Sequence, residues 1–462
     1  MKCPAQPKGN FIMTRNIEKT VISGKFIRFV ILILLFGYFA EVLIARDTSQ
    51  AAYYYKPTQY PDHIIISWSD DPASTQSVNW RSDVSITTAY AEIAKADASP
   101  NFIYTAKRIP AKTESFSFAD NKANFHSATF TGLQSNAMYI YRVGSAGRWS
   151  EWFQFRTAEK QPEPFKFIYL GDGQEHVLSL WSQAIRAAYK AAPEARFIIH
   201  GGDLVNDARA YDAWHEWFAA AGWINATIPI MPAIGNHEYW GGNWEERFFT
   251  PYWRPHFTLP LNGISELPET NYYFDFQGAR FIILNSNLER EKQARWLEGI
   301  LKNNPNNWTI IVFHHPIYCG AANRDYPEIR NVWNPIFKKY KVDLILTGHD
   351  HTYARGNNPE KLAIKSKNST DPVYVVSVSG PKLYHINQNR WMDRAAENTM
   401  LYQIISIDNS TLDYKACTIT DELYDAFRIE RSSSGKKTFK DLQPRDFPER
   451  TFKNTLGRPE EK

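Results

Sequence analysis

Cysteine is scarce in this sequence, with three residues in 462. Cys3 lies in a leader-like N-terminal segment, which leaves Cys319 and Cys417 for the rest of the chain. These two could pair in an oxidising compartment, but two distant cysteines cannot form a disulfide framework. A nucleophilic role for Cys319 would require surroundings that lower its thiol pKa, and the sequence alone gives no sign of them.

An excess of charge of one sign is also lacking. The formal net charge is +4, but the first 45 residues hold six Lys or Arg and two Asp or Glu, so residues 46–462 are neutral overall. A neutral chain without a basic domain gives no reason to expect a nucleic-acid surface. The composition, with 43% apolar and 22% charged residues, excludes a disordered protein and is typical of a globular one.

No apolar run reaches the length of a clear membrane span, which needs about 20 residues. The longest, at residues 29–40, follows Lys25 and Arg28 and is interrupted by Glu41. A basic flank before a short apolar region predicts that residues 1–51 are a signal peptide or leader. The protein is therefore predicted to be secreted, periplasmic or at the cell surface. An uncleaved leader is the alternative, and it would be the only membrane contact.

The chain changes character between residues 158 and 165. Residues 60–158 contain short β-like segments separated by turns, which predicts a β-sandwich. A Gln-Pro-Glu-Pro linker at 161–164 follows. Residues 165–430 alternate strand-like and helix-like segments, which predicts a layered α/β domain. Residues 431–462 are polar and are predicted to form a loosely packed or wrapping C-terminal tail.

Five short clusters in the α/β segment each follow an apolar run that is typical of a strand. They are Gly171-Asp172, Gly202-Asp203, Gly235-Asn236-His237-Glu238, His314-His315-Pro316 and Gly348-His349-Asp350-His351. Such sheets place their sites at strand carboxyl ends, so we expect these side chains to converge. Carboxylates, an amide oxygen and imidazoles without a thiolate indicate a pair of divalent or trivalent ions rather than structural zinc.

A binuclear site needs one ligand that contacts both ions, and a carboxylate such as Asp203 can do this with its two oxygens. One ion would be completed by Asp172 and His351. The other would be completed by Asn236, His314 and His349. Alternate side chains of an extended segment point the same way, which would let His349 and His351 reach adjacent ions. Spacing does not decide between His314 and His315 as the ligand, and His314 is favoured.

Two ions a few ångströms apart lower the pKa of a bridging water and stabilise phosphate oxygens during in-line attack. Metal-bound hydroxide would then be the nucleophile, with no nucleophilic side chain. His237 directly follows a predicted ligand and could act as a donor or general acid. His315 could lie behind the ligands or contact substrate.

An aromatic segment surrounds the third cluster and has two interpretations. The favoured one is core packing of a helix and a long loop. In the other, Trp240 stacks on a substrate leaving group, and Arg247 or Arg254 pairs with its phosphate.

The clusters in this order resemble the calcineurin-like metallophosphoesterase superfamily, and the preceding sandwich makes the purple acid phosphatase type the nearest match. This resemblance implies a fibronectin-III-like N-terminal domain, a layered αββα catalytic domain and two metal ions, with Fe, Zn, Mn or Co as candidates. It also implies a metal-dependent hydrolase of small phosphate monoesters or diesters.

Two positions depart from the family pattern. Many relatives have a metal-binding His where this chain has Gln174, and purple members have an iron-binding Tyr where it has Asn206. We therefore predict a colourless protein in which Gln174, Asn206 or water fills the weaker positions. The alternative is a non-catalytic surface-binding protein that retains the scaffold.

Overall fold

The computed structural model of the protein describes residues 55–241, 247–357, 372–387 and 391–451. The predicted leader at 1–51 lies outside these residues. The described residues from Pro57 onward belong to one compact unit. Within the described ranges, no helix combines the length and the apolar character needed to cross a membrane.

The N-terminal domain consists of two antiparallel sheets that share one hydrophobic core. The first sheet has the order β1-β2-β6-β5, formed by Asp62–Ser67, Gln76–Ser82, Asn121–Phe130 and Lys112–Phe118. The second has the order β4-β3-β7-β8, formed by Lys107–Pro110, Tyr90–Lys95, Met138–Ser145 and Arg148–Trp149, with β9 (Phe153–Arg156) beside β7. Alternating inward side chains from both sheets, including Ile66, Val78, Ile93 and Val143, fill this core.

Two mixed seven-stranded sheets form the second domain. The first has the order β12-β11-β10-β22-β23-β24-β25. Its strands are β10 (Phe165–Leu170), β11 (Ile198–His200), β12 (Ile230–Pro232), β22 (Leu401–Ile407), β23 (Thr411–Thr418), β24 (Leu423–Arg431) and β25 (Lys437–Asp441). The neighbours β10, β11 and β12 run parallel, and β22 joins β10 antiparallel.

The second sheet has the order β15-β16-β17-β18-β20-β19-β21. Its strands are β15 (Tyr272–Phe276), β16 (Ala279–Ile283), β17 (Trp308–Val312), β18 (Leu344–Thr347), β19 (Tyr353–Gly356), β20 (Val373–Val376) and β21 (Arg394–Ala396). Strands β16, β17, β18 and β20 are parallel. Every residue of β17 and β18 is buried, which explains why these strands are continuous apolar runs rather than alternating ones.

Helices cover the sheets. They are α1 (Ser182–Ala191), α2 (Tyr211–Ala221), α3 (Trp253–His256), α4 (Arg290–Lys302) and α5 (Pro327–Lys339), with 3₁₀ turns at Pro100–Tyr104 and Gly222–Ala226 and a short ribbon of β13 (Tyr239–Trp240) and β14 (Phe248–Phe249). Apolar residues of α4 and α5 pack in one cluster with Ile282, Ile311 and Ile345 of the second sheet. The main core includes Phe167 of the first sheet and Phe281 of the second. The predicted combination of a β-rich domain and a layered α/β domain is confirmed.

A π-helical turn, Val177–Trp181, precedes α1, which begins at Ser182. The tail predicted from residue 431 to be loosely packed or wrapping contains a strand, because Lys437–Asp441 pairs with β24 at the edge of the sheet. Its sequence is polar because an edge strand has one side open to water.

The two domains contact each other closely. Ile65 and Trp68 of the N-terminal domain belong to the main core of the second domain. The Tyr141 hydroxyl donates a hydrogen bond of 2.7 Å to the carbonyl of Ala226. Continuous packing of this kind holds the sandwich against the α/β domain.

Candidate metal centre

The predicted ligand side chains converge at the carboxyl ends of strands from both sheets. Asp172, Asp203 and Asn236 follow β10, β11 and β12, while His314 follows β17 and both His349 and His351 follow β18. Two groups of potential ligand atoms form there, Asp172-Asp203-His351 and Asp203-His314-His349, with all atoms of a group within 4.8 Å of one another. Asp203 belongs to both groups.

Backbone carbonyls fix the orientation of two of the imidazoles. His314 donates from Nδ1 to the Gly201 carbonyl at 2.9 Å, and His351 donates from Nδ1 to the Lys382 carbonyl at 2.8 Å. Since a carbonyl can only accept, each Nε2 is left to present its lone pair to the cluster. Outer hydrogen bonds of this type are what orient metal-binding histidines.

Acceptor atoms crowd together around His314. Its Nε2 lies 3.0 Å from Oδ1 of Asn236, 3.1 Å from Oδ2 of Asp203 and 3.1 Å from Nδ1 of His349. On the other side, Nε2 of His351 is 3.4 Å from Oδ2 of Asp172, a buried oxygen without a hydrogen-bond partner among the described residues. So many lone pairs directed at one space repel each other unless a cation lies between them. The donor set therefore fits metal ions.

The electrostatics of the buried groups agree with this conclusion. Burial, together with the nearby Asp203 carboxylate, raises the pKa of Asp172 to about 7. Burial alone would lower the pKa of His314, but the carboxylates of Asp203 and Asp172 raise it to about 9. In both cases the protein alone favours an added proton, which is a positive charge that a metal ion would replace.

Two acidic residues of the motifs, Glu238 and Asp350, accept hydrogen bonds from backbone N–H groups and belong to neither group of ligand atoms. Glu238 accepts hydrogen bonds from the N–H groups of Asp203, Leu204 and Gly235 at 2.9, 2.8 and 2.7 Å. Asp350 accepts from the N–H groups of Gly320 and Ala321 at 2.6 and 3.1 Å. Sequence reasoning gave these carboxylates no role, although their place inside the motifs was a usable signal.

Two motif glycines are required by close approach to the carboxylates. A Cβ at Gly235 would lie 2.1 Å from Oδ1 of Asp203, and a Cβ at Gly348 would lie 2.1 Å from Oδ1 of Asp172. Any side chain at either position would displace a predicted ligand.

The geometric reason for pairing His349 with His351 was wrong. The segment is not extended, because His349 and His351 have φ values of 70° and 50°. Asp203 also has a positive φ, of 50°. Such left-handed conformations in non-glycine residues persist where surrounding contacts enforce them, and they occur often at functional sites. The imidazoles still reach the two neighbouring groups of ligand atoms.

The three supplementary candidates lie in different places. Gln174 is buried and donates from Nε2 to Oδ2 of Asp203 at 3.0 Å. His315 is buried behind His349 and its Nδ1 is 2.8 Å from the Ser286 hydroxyl. The Asn206 residue is exposed, and its backbone carbonyl accepts a hydrogen bond from Nδ1 of His237. Asn206 therefore positions His237 through its backbone carbonyl, and the residue itself is exposed.

An open cleft of about 520 Å³ lies beside the ligand cluster. Its lining comprises Asn206, Asp207, Arg209, Asn236, His237, Tyr239, Trp240, Gly241 and Arg247. His237 is partly exposed there, with Nε2 at 3.9 Å from Oδ2 of Asp203. Burial lowers the pKa of Arg247, and the charge of Asp203 opposes that shift, so the two groups interact electrostatically.

Arg254, the other arginine considered for phosphate pairing, lies elsewhere. Its guanidinium forms an ion pair of 2.9 Å with Glu269, and it is absent from the cleft lining. The core-packing interpretation of the aromatic segment holds for Trp214, Trp217 and Trp253, which are fully buried. Trp240 instead borders the cleft, where the Arg209 guanidinium lies 5.5 Å from its ring centre.

Three residues that surround His349 and His351, namely Arg324, Tyr326 and Tyr384, were not predicted from the sequence. The Tyr326 hydroxyl lies 2.6 Å from Nε2 of His349. Arg324 donates to the His349 carbonyl at 2.6 Å and lies over the Tyr384 ring at 4.9 Å. The Tyr384 ring in turn is 4.6 Å from that of His351. These residues come from segments outside the motifs, so no local pattern marked them.

The cysteines take no part in the site. Cys319 and Cys417 are both free thiols. Burial raises the pKa of the Cys319 thiol far above its usual range, which keeps it protonated and unreactive.

Two family models match the chain. Calcineurin-like phosphoesterase matches residues 165–353, and the purple acid phosphatase N-terminal domain matches residues 61–157. The predicted resemblance is confirmed: the chain is purple acid phosphatase-like, with a calcineurin-like phosphoesterase domain after the N-terminal domain of that group.

Individual relatives are distant. The human protein acid phosphatase type 7 is 30% identical over 268 residues, covering 51% of this chain and 57% of the relative. The Fe(3+)-Zn(2+) purple acid phosphatase 12 of Arabidopsis thaliana is 26% identical over 314 residues, covering 59% and 63%. This chain thus spans less than two thirds of either relative.

Among solved structures, purple acid phosphatase from yellow lupin (Lupinus luteus) seeds superimposes with a TM-score of 0.69 at 20% identity, covering 81% of this chain and 75% of that one. At this identity the likeness concerns the fold.

Proposed function

We propose that this protein is a binuclear metal-dependent phosphoesterase that hydrolyses small phosphate monoesters or diesters. The single observation that carries this proposal is the sharing of Asp203 between the two groups of ligand atoms. One position would be held by Asp172, Asp203 and His351, and the other by Asp203, Asn236, His314 and His349.

Bound ions would lower the pKa of a coordinated water and stabilise charge on the phosphate oxygens. The protein's own side chains have distinct tasks. The Asn206 carbonyl accepts a hydrogen bond from Nδ1–H of His237, so a proton given to the leaving group would come from Nε2 of the charged imidazolium form. Arg247, on the same cleft, would pair with a phosphate oxygen.

The cleft suits a small phosphorylated substrate rather than a macromolecule. Its volume of about 520 Å³ lies within the usual range of small-molecule sites. Trp240 at its edge offers an aromatic face to a planar leaving group. This arrangement supports Trp240 and Arg247 as substrate-binding residues.

Substitution of the shared carboxylate tests the function. Asp203→Asn should abolish hydrolysis of p-nitrophenyl phosphate and of its bis ester in protein loaded with Mn, Zn, Fe or Co. Asp212→Asn, an exposed Asp on α2, is the matched control and should keep full activity. Unchanged turnover in Asp203→Asn would rule out the shared ligand.

A second candidate is a non-catalytic protein that retains the scaffold. Gln174 in a position where many relatives have a metal-binding His favours it, together with the solvent-facing Asn206. Stoichiometric metal in the wild type without turnover of either ester would support this function instead.

Export is proposed from the leader sequence at residues 1–51. N-terminal sequencing of protein recovered outside the cytoplasm would test it. A mature chain that begins near residue 50 would support cleavage, and recovery of the intact chain in the cytoplasm would contradict export.

A further inference from the structure

Gln174, predicted only as a possible supplementary ligand, lies beside the shared carboxylate of the ligand cluster. Its side chain is 2% exposed and follows Asp172 by two residues. The N–H groups of Gly173 and Gln174 donate to the Asp203 carbonyl at 3.1 and 3.2 Å. The backbone is thereby fixed so that the amide reaches the shared carboxylate, with Nε2 at 3.0 Å from Oδ2 of Asp203.

The two polar atoms of this amide are treated differently by the protein. Nε2 has the Asp203 carboxylate as its partner, whereas Oε1 is buried without a hydrogen-bond partner among the described residues. A buried carbonyl oxygen is stabilised only by a donor or a cation. Oδ2 of Asp172 is a second oxygen in the same condition. The Gln174 amide and Oδ2 of Asp172 therefore have unused acceptor capacity close to the shared carboxylate, which a cation would fill.

An amide can exchange the positions of its oxygen and nitrogen by a half-turn of its last torsion, with almost no change in shape. The atom now beside Asp203 can therefore be Oε1 when a cation is bound to that carboxylate. An amide oxygen is an accepted ligand for hard and borderline ions.

We propose that the amide oxygen of Gln174 is a ligand of the ion held by Asp172, Asp203 and His351. The proposal rests on the binuclear site proposed above and assigns the ligand that completes its first position. Each ion then receives one amide oxygen, from Gln174 on one side and Asn236 on the other. Among the proposed ligands, only the carboxylates of Asp172 and Asp203 carry a negative charge, because the two amide oxygens are neutral.

This ligand set selects the charge of the ions. Two carboxylates supply two negative charges inside a buried site, and Gln174 adds none where an anionic phenolate or carboxylate would add a third. Charge that the ligands do not compensate is costly in a buried site, and two carboxylates compensate a divalent ion more fully than a trivalent one. The first position is therefore built for a divalent ion, and the loaded protein should lack a visible charge-transfer band.

Metal stoichiometry tests the assignment without reference to turnover. Wild type and variants are dialysed against limiting Mn²⁺ or Zn²⁺ and analysed by inductively coupled plasma mass spectrometry. Wild type should hold two ions, and Gln174→Leu, which has similar volume and no ligand atom, should hold one. Gln183→Leu, the same change at an exposed glutamine of α1, is the matched control and should hold two.

Gln174→Glu separates a ligand from a residue that merely orients Asp203. Glutamate keeps an oxygen ligand but cannot donate a hydrogen bond to the Asp203 carboxylate. Retention of both ions in Gln174→Glu supports ligation, and loss of an ion from it would overturn the proposal in favour of an orienting role. This variant also serves as the test if Gln174→Leu does not fold, as judged by circular dichroism.

Metal content tests the role of Gln174, and ester hydrolysis tests the proposed function independently. Two ions at unchanged affinity in Gln174→Leu would overturn the inference, whatever the activity. Two ions in wild type and one in Gln174→Leu would support it even if neither ester is hydrolysed, in which case the proposed function fails. A strong visible band after loading with Fe³⁺ would overturn the preference for divalent ions.

Discussion

The Glu238 carboxylate accepts a hydrogen bond from the backbone N–H of Asp203 at 2.9 Å, although Glu238 itself lies outside both groups of ligand atoms. The same carboxylate also holds the backbone of Gly235, directly before Asn236. One buried side chain thus links the loop that carries Asp203 to the loop that carries Asn236, the proposed amide ligand. We regard it as the residue that sets the spacing between them.

Glu238→Gln should therefore weaken metal binding. The substitution keeps the shape but replaces an accepting oxygen by an NH₂ group that faces a backbone donor. Loss of a group that supports metal ligands reduces affinity by about 10–100-fold. Isothermal titration with Mn²⁺ measures this change. Glu291→Gln, an exposed residue of α4, is the control, and equal affinities in the two variants would contradict the role of Glu238.

Gly348→Ala should disrupt the first metal position through sterics alone. The new Cβ would lie 2.1 Å from Oδ1 of Asp172, closer than any non-bonded contact allows. Gly299→Ala in α4 is the matched control, because nothing lies within 4 Å of its added Cβ. That control should raise the free energy of unfolding by about 0.5–1 kcal/mol, since alanine is the better helix residue.

Metal content and chemical denaturation distinguish the two substitutions. We expect fewer bound ions in Gly348→Ala and an unchanged number in Gly299→Ala. Full metal content in both variants would mean that the backbone at residue 348 can move away from Asp172.

Much of this site follows from strand periodicity and residue type. Apolar runs that end in Asp172, Asp203 and His314 predict strands, and parallel strands bring their carboxyl ends together. The aromatic residues of Tyr211–Ala221 repeat at helical spacing, a pattern that predicts the helix observed there.

Other features could not be predicted because they depend on packing between distant segments. The left-handed conformations of His349 and His351 are enforced by tertiary contacts, not by local preference. Tyr326 reaches His349 from a segment 23 residues away. The role of Glu238 depends on three N–H groups whose positions are known only once the loops are folded.

A row of three hydrogen-bonded histidines at the contact between the domains could likewise not be predicted from the sequence. Nδ1 of His63 lies 3.2 Å from Nε2 of His256, and Nε2 of His63 lies 3.1 Å from Nδ1 of His215. Arg81, which is paired with Asp62, lies 3.4 Å from the same nitrogen of His215. Because Arg81 can only donate, Nδ1 of His215 must be an acceptor. When the three histidines are neutral, His63 therefore donates to His215, and His256 donates to His63.

Acid should therefore destabilise the protein through these histidines. Burial, with Arg81 adding to it, lowers the pKa of His63 and of His256 well below the usual value, and lowers that of His215 to about 4. In the unfolded chain each has a pKa of about 6.5. Below that pH the unfolded state binds protons that the folded state refuses, so the free energy of unfolding falls with pH. For His63 and His256 the slope approaches about 1.4 kcal/mol per pH unit each.

Urea denaturation at several pH values between 7 and 5 measures the effect. His256→Gln keeps a donor for His63 but removes one titrating group, so its stability should fall less steeply with acid than that of the wild type. His176→Gln, at an exposed position, should follow the wild-type curve. Parallel curves for wild type and His256→Gln would show that the row of histidines does not govern acid sensitivity.

His237 and Arg247 border the same cleft, but their substitution should change the kinetics in different ways. His237 would give a proton to the leaving group, so His237→Ala should lower kcat by about 10²–10⁴-fold for an alkyl phosphate, whose leaving group needs that proton. With p-nitrophenyl phosphate the loss should be smaller, because nitrophenolate leaves unprotonated.

Arg247→Ala removes phosphate pairing that is independent of the leaving group, so both substrates should lose kcat/KM by a similar factor. Steady-state kinetics with both esters measure the ratio, and equal losses for the two substrates in His237→Ala would exclude proton donation by His237.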